Sequence, residues 1–205
     1  MPYYTMPDQE SLFVRRVGRG EPVLVLSGLG MQSWQWLPFI YANRKEYEFI
    51  IPDWRGFGGS KNCAIPEQDA ISSHWQDVAH LIEQLKLDKF ILMGYSMGAT
   101  TAMHGMKHAH LAQQLKAYLH IDQTPKISVD ATWQYGLFGP LHAQFKQLLN
   151  DIYQLLSIHK NAKYLYELSL PDRQKLVRLW VDFIELQSSN PFSPFVFKTA
   201  LKQPF

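Results

Sequence analysis

Up to Asp122, short apolar runs alternate with amphipathic or glycine-rich stretches. Leu12-Phe13-Val14-Arg15-Arg16-Val17 reads as a strand, closed by the turn chemistry of Gly18-Arg19-Gly20-Glu21-Pro22. Val23-Leu24-Val25-Leu26 is apolar throughout, as a strand covered on both faces of a parallel sheet requires. Residues 33–44 read as helical. Tyr47 to Asp53 forms the next strand, and Trp54-Arg55-Gly56-Phe57-Gly58-Gly59-Ser60 a glycine-rich loop. Ser73 is placed to cap a helix from His74 to about Leu87, where Trp75, Val78, Ala79, Leu81, Ile82 and Leu85 follow a 3.6-residue period. A strand over 89–95, a helix to about His110 and a strand over 115–122 complete the series. Strands alternating with helices predict a parallel α/β sheet.

After Pro125 the pattern changes. Apolar and aromatic residues recur at helical spacing over roughly 132–158, 160–168 and 172–187. Ser188 to Pro194 reads as a loop before a short tail. The division is therefore an α/β core over 1–125 and a helical region with its tail over 126–205.

Composition narrows the class. The 205 residues are 46% hydrophobic, which is globular, and the net charge of +2 is spread without a basic run for nucleic acid. Cys63 is the only cysteine, so neither an intrachain disulfide nor a cysteine-rich zinc site is available. With no apolar stretch of about 18 residues and no basic-then-apolar start, the expected setting is cytoplasmic, with no membrane span.

The chemistry concentrates at Gly94-Tyr95-Ser96-Met97-Gly98. An apolar strand, Phe90 to Met93, leads into it and a small-residue helix follows, which is the context a G-x-S-x-G nucleophile elbow needs. A serine hydroxyl becomes a nucleophile only when held out on a sharp turn and served by a base. Glycines at 94 and 98 let strand and helix close around it. The helix starting at Met97 aims free N–H groups at developing negative charge.

Ser27-Gly28-Leu29-Gly30 after a strand, Asp53 to Ser60, and the elbow occur in this order. Together they resemble the α/β-hydrolase fold family over about 10–125. The region from about 130 is similar to the helical cap that such proteins carry after the sixth strand. The resemblance implies Ser96 as nucleophile and the N–H groups of Met97 and Leu29 as the oxyanion hole. The family's usual residue before Gly28 is His, and here it is Ser27. Leu29 also has the plainer reading of a strand-ending turn. Asp53 and Arg55 read as a charged pair bracing a scaffold loop. Asp122 ends its strand at the edge where ligands bind in open α/β sheets. It is either the triad acid in its post-sixth-strand position or a carboxylate bracing the turn Gln123-Thr124-Pro125.

The family's base is a histidine in a loop after the last strand. Of the eight histidines, 74, 80, 104, 108, 110, 120, 142 and 159, only His142 and His159 fall where a cap residue could overhang Ser96, and surface or packing roles suit all eight. Fifteen residues follow Asn190, too few for the two further strands that the fold implies. About 60–80 residues, two strands and two helices, are expected to be missing. The strand 115–122 should then be an open edge, to be covered by a C-terminal fragment or an oligomeric partner. The function implied is hydrolysis of a small apolar carboxylic ester without metal or organic cofactor. A cofactor-free haloperoxidase, a C–C bond hydrolase and an inactive ligand-binding fragment remain as alternatives.

Overall fold

The computed structural model describes residues 2–65, 70–159 and 167–189. The chain divides into two compact units, Met1–Gln123 and Thr124–Phe205. The first is built on a six-stranded sheet. Its strands are β1 (Tyr3–Thr5), β2 (Ser11–Gly18), β3 (Glu21–Leu26), β4 (Tyr47–Pro52), β5 (Phe90–Tyr95) and β6 (Leu115–Ile121), in the order β1-β2-β4-β3-β5-β6. β1 and β2 run antiparallel to their neighbours; β4, β3, β5 and β6 are mutually parallel. β1 is too short for its pattern to stand out in the sequence.

The two-residue period of the strands sorts their side chains into two layers. Leu24, Leu26, Ile50 and Leu92 face one way. They pack with Trp75, Val78, Leu81 and Ile82 of α2 (Ala70–Gln84) and Ala102 of α3 (Met97–His108). Val23, Val25, Phe49, Ile51 and Met93 face the other way and pack with Ile40. Ile40 ends α1 (Leu37–Ile40), which lies between 3₁₀ turns over Ser33–Trp36 and Tyr41–Asn43, so the stretch read as one helix is three short turns. The four residues Val23 to Leu26 are at most 2% exposed, as their apolar run predicts. α2 starts at Ala70, earlier than the sequence suggests, so Ser73 lies inside the helix and is not its cap.

Among the described residues β6 pairs with β5 alone. The strand is only half-buried. Tyr118 packs into the first layer and Ile121 against the second, while Leu119 is 42% exposed.

One ionic hub, with Arg55 and Asp77 buried and Asp8 at the surface, ties the first unit together. Arg55 makes two 2.7 Å bonds to the Asp77 carboxylate of α2 and bonds of 2.5 and 3.1 Å to Asp8. Asp53 does not pair with Arg55, contrary to expectation. Its two oxygens instead accept the N–H groups of Ser33, at 2.5 Å, and Gly59, at 2.8 Å. An arginine fork matches a carboxylate two bonds at a time, so two carboxylates outcompete one backbone-bound neighbour. Ser60 belongs to the same loop: its carbonyl accepts the Gly56 N–H and its hydroxyl oxygen the Phe13 N–H. His74 is buried as well, not on a helix surface. Its ring lies 4.5 Å from that of Trp54, and its Nδ1 has no hydrogen-bond partner.

The second unit is helical, with α4 (His142–Ile158) and α5 (Leu170–Ser189). The helix expected from 132 begins at 142. Asp130 closes a tight turn on the Thr132 N–H, Phe138 takes a left-handed backbone, and Pro140 follows in a 3₁₀ turn. Phe138 stacks on Phe145 at 4.3 Å, and Phe183 meets both rings. Ser169 and Asp172 close the start of α5, where Asp172 also holds His159 at 2.9 Å. The helix read over 160–168 and the loop and tail after 189 lie largely outside the described residues. No described helix is long and apolar enough to cross a membrane.

Arg55→Ala leaves the buried Asp77 carboxylate unpaired, and should cost about 3–5 kcal/mol in urea unfolding. Burial lowers the His74 pKa, with Asp77 opposing and Arg55 adding to the effect. The unfolded chain therefore binds the proton more readily. Stability is full above the unfolded value of about 6.5 and falls as pH drops below it. Urea midpoints measured at pH 7.5 and 5.5 should separate for the wild type and converge for His74→Phe.

Candidate active site

Ser96 lies between β5 and α3 with φ 51° and ψ −119°, a backbone conformation that costs a non-glycine residue about 1–3 kcal/mol. Close packing imposes it. A Cβ on Gly98 would lie 2.0 Å from the carbonyl oxygen of Leu26, and one on Gly94 would lie 2.7 Å from Cα of Ala99. With α3 drawn this tightly onto β3 and β5, the connecting residue has to turn sharply. Ile121 at the end of β6 accepts the Ser96 N–H at 3.0 Å. The Ser96 carbonyl starts the helix by accepting the N–H groups of Ala99 and Thr100. Met97 is the first residue of α3, and its N–H belongs to the set that a helix leaves without an internal partner.

The loop after β3 runs beside this turn. A Cβ on Gly28 would lie 3.4 Å from the Ser96 Cβ and 3.0 Å from the Tyr95 ring, so the Gly28 backbone borders the elbow directly. Gly28 and Met31 close a turn through a 3.2 Å bond, with Leu29 at its exposed tip. The residue where the family usually has His is fully buried Ser27. Trp36 donates its indole N–H to the Ser27 hydroxyl at 2.9 Å, and Trp54 donates to the Ser27 carbonyl at 2.8 Å. Two indoles thus hold the loop, a contact that spacing in the sequence does not reveal.

Asp122 follows β6 in a left-handed backbone conformation with φ 52°. Burial pushes the Tyr95 pKa up, and the Asp122 charge adds to the shift. The structure therefore brings Ser96, Met97, Gly28-Leu29 and Asp122 to the same end of the sheet, where β3, β5 and β6 finish. Among the described residues of the first unit no histidine bonds to Ser96 or Asp122. His120 lies exposed on β6 and engages the Tyr118 hydroxyl at 2.9 Å and the Gln123 carbonyl at 2.7 Å; His142 engages the Leu137 carbonyl. His104 and His108 pack ring on ring along α3. The described residues also contain no group of three His, Cys, Asp or Glu that could hold a metal ion.

A mostly parallel sheet with a strained serine at the strand-to-helix turn defines a class, and residues 21–203 match the family model of the alpha/beta hydrolase fold. The chain belongs to that family. It is 27% identical over 162 residues to a pimeloyl-[acyl-carrier protein] methyl ester esterase of Legionella pneumophila, covering 78% of this chain and 59% of that protein. A putative carbamate hydrolase of Agrobacterium fabrum is 36% identical over 76 residues, 37% of this chain and 29% of that one. The chain thus spans less than two thirds of the length of these curated relatives. Among solved structures, an esterase from Exiguobacterium antarcticum superposes with a TM-score of 0.59 at 22% identity, covering 88% of this chain and 67% of that one.

Alanine normally improves a helix over glycine. Gly98→Ala should do the reverse and lower stability by about 3 kcal/mol, because the new methyl group meets backbone and not a movable side chain. Thermal melting against wild type measures it.

Proposed function

We propose that Ser96 is the nucleophile of a serine hydrolase acting on small, largely apolar carboxylic esters. The observation that carries this is the strained Ser96 backbone, held between a helix start and the Gly28 loop. Strain of this kind persists only where surrounding packing overdetermines it, and it holds the residue out on the turn. In this reading the Ser96 hydroxyl oxygen attacks the ester carbonyl. Its proton passes to a base and then to the leaving alcohol. The N–H groups of Leu29 and Met97 receive the charge on the tetrahedral oxygen. Water then releases the acid and restores the serine. The methyl ester esterase named above, similar over most of this chain, supports a carboxylic methyl ester as substrate class.

The mechanism requires a base. No described histidine of the first unit meets Ser96, and in this reading the role falls to a histidine outside that unit. Asp122 enters as the carboxylate on the rim of the site, and the helical unit as the cap that the family resemblance implies.

A fluorophosphonate probe applied to the intact protein should modify Ser96, and peptide mapping should place the adduct there. Ser96→Ala should abolish labelling and reduce turnover of short-chain methyl esters by on the order of 10⁵–10⁶. Undiminished ester turnover in that variant would reject Ser96 as the nucleophile.

A further inference from the structure

We propose that Trp36 is a positioning residue that ties the oxyanion loop to the nucleophile elbow, with its indole N–H on Ser27 and its ring edge-on to Tyr95. The first contact is polar. Ser27 directly follows β3, directly precedes Gly28 and is fully buried. Its hydroxyl oxygen accepts the Trp36 indole N–H at 2.9 Å, while the Ser27 carbonyl is taken by Trp54. The second contact is apolar. The Trp36 ring meets the Tyr95 ring at 6.1 Å and 83°. Tyr95 directly precedes Ser96, and a Cβ on Gly28 would lie 3.0 Å from its ring. One side chain thus touches the residue before Gly28 and the residue before Ser96.

Trp36 can hold others because it is itself fixed. It closes the 3₁₀ turn Ser33–Trp36 ahead of α1, and its half-buried ring packs on the layer of Val25, Ile40 and Met93. Ser33, the first residue of that turn, is anchored twice. Its N–H goes to Asp53 at 2.5 Å, and its hydroxyl oxygen accepts the Arg15 Nε–H at 3.1 Å. An indole supported in this way puts its N–H at a set point, and the Ser27 hydroxyl is registered against it. The consequence falls two residues later. Leu29, an oxyanion donor in the reading above, sits at the exposed tip of the turn closed by Gly28 and Met31. A turn tip with little packing of its own takes its position from the anchored residue before it. A shift of about 1 Å between that N–H and the tetrahedral oxygen costs turnover and leaves ground-state binding intact. Trp36 therefore acts on kcat and not on KM. This kinetic role rests on the reading of Ser96 as nucleophile; the bridge from Ser27 to Tyr95 does not.

The test compares Ser27→Ala, Trp36→Phe and the double variant in the intact protein. Ser27→Ala removes the acceptor alone. Trp36→Phe removes the donor and keeps an aromatic ring toward Tyr95. The Trp36 indole N–H, assigned by its loss in Trp36→Phe, should exchange slowly with solvent in the wild type. Ser27→Ala should quicken its exchange and that of the Met31 amide about tenfold. Phosphonylation of Ser96 and kcat for a methyl ester should fall together by tenfold to a hundredfold in either single variant. KM should stay unchanged, and the double variant should lose no more than the singles. Wild-type kcat in Ser27→Ala, or losses that multiply in the double variant, would overturn the bridge. A kcat loss that disappears in assays run well below each variant's melting temperature would reduce the bond to an ordinary stabilising contact and equally overturn it. If wild-type Ser96 proves unreactive, the nucleophile reading fails alone and the exchange rates decide the bridge: rates unchanged in Ser27→Ala overturn it.

Discussion

The approach of α3 to the backbone of β3 is the contact on which the rest depends. With only hydrogen at position 98, the helix start sits against the Leu26 carbonyl. That proximity forces Ser96 out of the ordinary backbone regions and leaves the free N–H groups of the helix aimed past the strand ends. Nothing about Ser96 as a residue type produces this. A serine in a looser turn would have ordinary dihedrals, no strain and no fixed relation to Gly28.

The strain requires support, and the loops around the elbow supply it by using side chains to bond backbone. Ser27 is held by the indoles of Trp36 and Trp54. Trp54 in turn belongs to the loop anchored by Asp53 at its start and by Arg55 in the hub with Asp77 and Asp8. The hub contains no residue of the elbow, but it fixes where Trp54 stands and so where Ser27 and Gly28 stand. Scaffold and candidate site are one hydrogen-bonded system, and changes in the glycine-rich loop are expected to act on the loop after β3 before they act on global stability.

The core strands and the elbow were legible because their signals are local. Val23 to Leu26 is apolar at every position because both faces are covered, and Phe49 to Ile51 and Phe90 to Met93 are continuous apolar runs because successive residues enter the two layers. Local reading failed where a partner distant in sequence decided the outcome. Arg55 has a carboxylate two residues away and still binds Asp77 and Asp8, because its fork needs carboxylates in its own plane. His74 sits on a helix whose period reads as amphipathic, yet the Trp54 ring covers it. In the second unit, Phe138 and Pro140 break a periodic stretch that the apolar spacing alone extends back to 132.

What the amino-acid sequence determined by itself is the α/β series, the family and the identity of the candidate nucleophile. Strand burial, helix periodicity and turn glycines are each encoded within a few consecutive residues. What only the tertiary structure decided is the surroundings of that nucleophile: two indoles on Ser27 and the Tyr95 ring against Gly28. These are contacts between the ends of separate strands. No local rule sets which side chains meet there, because the meeting depends on sheet order and register, and both are properties of the assembled fold.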